Sequence, residues 1–158
     1  MFICTSPTAD FIGGGIADCE LDGGQLRTAS PTKDCLDFSA VTGELHRFYV
    51  VRSYLHNFRD AFHGAVEAGG RDRSPTFVDC DVWYNARAFY TSEHPIFSGV
   101  NDVRYNNYGI TGPTSGSQPY DIFLTGQKFN YNERAIAPQP GGANFSSIWA
   151  NHTSFFKN

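Results

Sequence analysis

The chain has 158 residues, a formal net charge of −4, 15% aromatic and 18% charged residues. That length makes one ordinary domain with enough side chains for its own core, so neither a metal nor a disulfide is needed to hold it together. A weakly acidic chain without a basic block argues against a dedicated nucleic-acid binder, because phosphate contacts need several cations on one face.

The charge is unevenly spread. Residues 1–40 hold six acids (Asp10, Asp18, Glu20, Asp22, Asp34, Asp37) against Arg27 and Lys33, whereas residues 41–73 hold five arginines against four acids. The N-terminus, MFICTSPTADFIGGGIADCE, lacks a basic leader, and Pro7, Asp10 and three glycines interrupt its apolar residues. No apolar run reaches the roughly 18 residues of a membrane span, so neither a signal peptide nor a transmembrane segment is expected. The chain reads as soluble, a virion or cytoplasmic assembly component rather than a secreted one. Cys4, Cys19, Cys35 and Cys80 form no CxxC pair and stand at no ligand spacing to histidine, which leaves reduced structural thiols as the expectation. The sequons NFS (144–146) and NHT (151–153) point the other way, towards secretion.

Residues 1–40 read as short extended pieces, with a hairpin turning at Asp22-Gly23-Gly24 between Glu20-Leu21 and Leu26-Arg27. The triple glycine at 13–15 lacks the spacing of a phosphate loop. Next comes the most patterned stretch. Phe48, Val51, Leu55, Phe58, Phe62 and Ala65 recur at alternating steps of three and four, with Thr42 before them as a cap and Gly69-Gly70 behind as a stop. This predicts an amphipathic helix over 42–68, roughly 40 Å long. On that helix Arg52, His56, Arg59 and His63 share one stripe, a cationic flank available to an acidic partner.

From residue 76 the period becomes two. Val78, Cys80, Val82, Tyr84, Ala86, Ala88 and Tyr90 alternate with Phe77, Asp79, Asp81, Trp83, Asn85, Arg87 and Phe89, which predicts a long strand with the first set facing the core. Further strands are expected at 101–108 and 120–132, with loops at 109–119 and 137–142 and a terminal helix or strand over 144–156. No internal repeat is visible at this level. The fold class that follows is α+β: one domain over 1–158, in which a single long helix packs on antiparallel strands spanning 76–158, beside a small N-terminal hairpin region.

Function is less determined. Asp79 and Asp81 can be read as a two-carboxylate metal site with His94 as base, the set for a metal-dependent hydrolase or transferase. No nucleophile elbow, HExxH or complete catalytic set occurs, and no cofactor is implied. Trp83, Tyr105, Tyr108 and Tyr120 lie in a half of the chain rich in Tyr, Asn and Gly and poor in charge, a composition suited to protein interfaces or to sugar stacking. The expectation is therefore a non-catalytic assembly or recognition subunit of the virion, tail or surface-filament type, acting through self-association or contact with other protein subunits. A secreted carbohydrate-binding module is the remaining alternative.

Overall fold

The computed structural model describes residues 2–3, 10–25, 30–65, 71–91, 95–112, 121–137 and 147–158. Every regular element among them is a β-strand, and every strand pair is parallel. The chain winds as a solenoid with three sheets. The first sheet stacks β2 (Phe11–Ala17), β5 (Glu44–Val51), β9 (Thr76–Val78), β12 (Ile96–Ser98), β15 (Asp121–Thr125) and β18 (Ser147–Asn151), and β8 (Arg71–Arg73) pairs with the start of β5. The second stacks β3 (Glu20–Asp22), β6 (Tyr54–His56), β10 (Asp81–Trp83), β13 (Asp102–Arg104), β16 (Lys128–Asn130) and β19 (Ser154–Phe156). The third stacks β1 (Phe2–Ile3), β4 (Leu36–Asp37), β7 (Asp60–His63), β11 (Arg87–Tyr90), β14 (Tyr108–Thr111) and β17 (Arg134–Ile136).

This overturns the α+β expectation: no helix spans 42–68, and the strands after 76 are parallel, not antiparallel. The misleading steps of three and four have a physical source. Arg47, Arg52 and Asn57 all adopt positive φ (52°, 44° and 63°). Each of these left-handed residues shifts the phase of a two-residue alternation, so that Leu45, Phe48, Val50, Leu55, Phe58 and Phe62 all point inward from short strands and their corners. The resulting spacing imitates a helix face. Likewise, the fourteen-residue alternation at 77–90 is three strands, β9, β10 and β11, and the corners between them bring Phe77 and Phe89 into the core with Cys80 and Val82. Tyr84, expected inside, is 43% exposed. The terminal segment resolves as strands β18 and β19.

The corners are standardised. Between the first and second sheets the chain turns in two residues (three at 99–101), and the leading residue is left-handed every time: Asp18, Arg52, Asp79, Gly99, Gly126 and His152. Between the second and third sheets it turns in three residues at 57–59, 84–86, 105–107 and 131–133. Those corners begin with left-handed Asn57, Tyr84, Tyr105 and Tyr131. A left-handed tyrosine costs about 1–2 kcal/mol. The outlay is offset by stacking, with Tyr84 on Tyr105 at 5.1 Å and Tyr105 on Tyr131 at 5.2 Å. Such a pair contributes about 0.5–1.5 kcal/mol.

Behind each tyrosine an asparagine points inward, and Asn85, Asn106, Asn132 and Asn158 form a ladder. In each step the Oδ1 of one asparagine accepts the backbone N–H and the Nδ2 of the asparagine one rung earlier, at 2.8–3.1 Å. The Phe58 N–H closes the bottom of the ladder on Asn85. Its sequence trace is the run DVWYN, DVRYN, KFNYN and SFFKN, so the chain does repeat, at intervals of 21 and 26 residues.

The core lies inside the three sheets as register lines running from rung to rung. One line is Ile16, Val50, Phe77, Phe97, Leu124 and Ala150. A second is Leu21, Leu55, Val82, Val103, Phe129 and Phe155. A third is Leu36, Phe62, Phe89, Ile110 and Ile136. Connections from the third sheet back to the first vary freely, from five residues at 91–95 to ten at 137–146. The second arm of the expected hairpin, most of loop 109–119 and most of loop 137–142 lie outside the described residues. Among the described residues no helix is long and apolar enough to cross a membrane.

Candidate interaction surface

The three outer faces differ in chemistry. On the third sheet the N-terminal rungs carry a buried ionic cluster. Arg59 grips Asp34 through Nε and Nη2, and Arg87 grips Asp60 in the same two-pronged way. His63 Nδ1 lies 3.1 Å from Asp34, 3.3 Å from Asp60 and 4.0 Å from Asp37. Burial opposes charge on His63, but the hydrogen bond to Asp34 and the fields of Asp60, Asp34 and Asp37 together hold its pKa above the ordinary value. Burial also pushes Asp34 upward; His63 and Arg59 outweigh it, through hydrogen bonds and charge, and bring it down to about 2. Asp34, Asp37 and His63 offer three donor atoms within 4.8 Å of one another, a cation-sized arrangement. Arg59 and Arg87 supply counter-charge to Asp34 and Asp60, while burial raises the pKa of Asp60. The cluster is thus balanced by its own side chains and clamps the segment bearing Asp34 onto the sheet.

The predicted cationic stripe is divided by the fold. Arg52 and His56 sit by the second sheet, where Arg52 makes a two-pronged pair with Asp18 and His56 lies 3.0 Å from Glu20. Arg59 and His63 belong to the cluster just described. Each of the four meets a carboxylate from the first forty residues, so the acidic partner of this flank lies within the chain itself.

Asp79 and Asp81 have different surroundings. Asp79 occupies a corner, where its Oδ1 accepts the Val100 N–H at 2.7 Å. Asp81 stands on the outer face of the second sheet, in register with Tyr54 and Asp102. Burial, then Asp102, raises its pKa. His94 and Tyr120 lie outside the described residues, as do Cys4 and Asn144. Cys19, Cys35 and Cys80 are free thiols.

The aromatic residues of the second sheet and its corners are turned towards one another. Trp83 lies between the Arg104 guanidinium, 3.8 Å from its ring, and the edge of Tyr54 at 5.0 Å. Tyr105 is sandwiched by Tyr84 and Tyr131. Tyr108 has Arg134 at 5.6 Å. The ring faces on which a sugar would stack are therefore largely occupied.

The first sheet is different. Tyr49, Thr76, Ile96, Phe123 and Trp149 form one outward register line across five rungs. Tyr49, Ile96 and Phe123 are between 38% and 46% exposed, and Trp149 63%. Adjacent on the same face are the uncharged Val51, Val78 and Ser98. With rungs about 4.8 Å apart, the line is ~19 Å long. Contiguous exposed apolar surface of this kind marks a contact site. Sequence reasoning named Trp83 and Tyr105 and did not assemble this line, whose members stand 20 to 27 residues apart on separate strands. No family model, curated protein or solved structure matches the chain.

Proposed function

We propose that the chain is a non-catalytic assembly subunit whose outer first-sheet face packs laterally against the same face of another copy. The observation that carries this reading is the exposed line Tyr49, Ile96, Phe123 and Trp149, which contains no charged side chain. Asp121, two residues before Phe123 on the same face, is bonded by Ser147, and the apolar line beside it is matched by its own copy. The occupied ring faces of the second sheet favour this reading over sugar binding.

Light scattering coupled to size-exclusion chromatography tests it. Wild type forms concentration-dependent oligomers, and Phe123→Lys, which places a charge at the middle of the line, weakens lateral association at least tenfold. A wild type that stays monomeric at its highest soluble concentration, or oligomers indifferent to Phe123→Lys, would overturn the reading.

A further inference from the structure

The two ends of the solenoid carry matching surfaces. At one end the inward residues of β17, β18 and β19 are only partly covered. Phe155 is 49% and Ile148 46% exposed, while Phe129 and Ile122, their register partners one rung below, are fully buried. With them, Ile136, Ala150 and Asn158 line a cavity of about 600 Å³, whose rim carries Glu133 and Arg134. At the other end Phe11, Ile16 and Leu21 are partly buried, whereas Leu45, Val50 and Leu55, one rung above, are fully buried.

The register lines determine what fits. The first line begins at Ile16 and ends at Ala150, and the second begins at Leu21 and ends at Phe155. A second molecule placed one rung further along the axis would set its Ile16 over Ala150 and its Leu21 over Phe155, apolar on apolar, with edge strands meeting as the internal ones do. The corners agree in charge. Lys157 ends the corner column of Tyr84, Tyr105 and Tyr131, and His152 ends the column that begins at Asp18. Stacking brings His152 beside Asp18 and Lys157 beside Asp22 of the next molecule, both exposed while also bonded to Arg52 and Asn57 of their own chain. Like ends would instead oppose acid to acid, or Lys157 to Lys157.

We infer that this protein polymerises head to tail, the terminal strands β18 and β19 of one copy receiving β2 and β3 of the next. This axial contact uses a surface separate from the lateral face, and because it is heterologous it does not close. Six rungs per molecule at about 4.8 Å each set an axial repeat of ~29 Å.

Electron microscopy and sedimentation velocity on the 158-residue chain decide it. Wild type forms unbranched filaments with that repeat, paired through the lateral face. Phe155→Asp and Lys157→Glu, both checked for a wild-type circular dichroism spectrum, shorten or abolish them, and Asp22→Lys in the Lys157→Glu background restores them. Phe123→Lys separates filaments laterally but leaves each intact, so the two contacts fail independently. Absence of filaments in wild type, a closed dimer, or filaments unchanged by Lys157→Glu and Phe155→Asp each overturns the inference.

Discussion

Replacing Asn106 with alanine removes the centre of the asparagine ladder. The side chain is fully buried, its Oδ1 accepts the Asn85 N–H at 2.8 Å, and its Nδ2 donates to the Val82 and Arg104 carbonyls at 2.9 and 3.1 Å. Orphaning one buried N–H costs ~1–3 kcal/mol, and two carbonyls that lose a donor raise the total to about 3–4 kcal/mol. That is a large part of a stability of roughly 5–15 kcal/mol. Asn158→Ala deletes the same side chain at the exposed end of the ladder, where water can replace its bonds, and costs about 1 kcal/mol or less. Urea unfolding monitored by circular dichroism reads both as shifts in midpoint, provided the slope is unchanged. Equal shifts for the two variants would refute the view that ladder bonds are worth more where water is excluded.

Four further outcomes are expected. The raised pKa of His63 contributes stability that is complete below its unfolded value of about 6.5 and is lost as pH rises through the folded value, so His63→Gln flattens the thermal midpoint against pH above neutrality. Asp34 acts oppositely: its contribution is present above about 3.9 and disappears as pH falls towards about 2, a dependence that Asp34→Asn removes in acid titrations. A Cβ at Gly99, where φ is +68°, would meet Asp79 Oδ1 at 2.1 Å, so Gly99→Ala costs about 1–3 kcal/mol and Asp79→Ala in the same chain recovers part of it in a double-mutant cycle. Finally, burial pushes the Cys35 thiol up to about 12 and also raises Cys80, so alkylation of the folded protein spares both, and mass spectrometry finds them labelled only after denaturant.

What could be read from the sequence depended on how local the determinant was. The β character after residue 76 was legible because alternation survives within each short strand. The sense of pairing was not, since a parallel neighbour lies 20 or more residues away and leaves no adjacent turn signal. The helix over 42–68 failed for a related reason. One left-handed residue per corner changes the apolar step from two to three or four, and nothing in Arg47 or Arg52 announces positive φ as glycine would. The Tyr-Asn dipeptides at 84, 105 and 131 were the available repeat signal, diluted by unequal connections. The charge asymmetry was visible, but its meaning was internal: the acids of residues 18–37 meet Arg52, His56, Arg59 and His63 one rung above.

The contrast between fixed corners and variable connections gives the molecule a seam. Length can be added or removed where the third sheet returns to the first without moving any register line, because no ladder crosses that edge. Insertions, grafted peptides and natural length variation should therefore collect along this one edge, because from residue 44 onward the other two corners keep to two or three residues and carry the asparagine and apolar lines from rung to rung. The seam borders the exposed first-sheet face, so new loops placed there would flank the lateral contact and could change which surface it accepts.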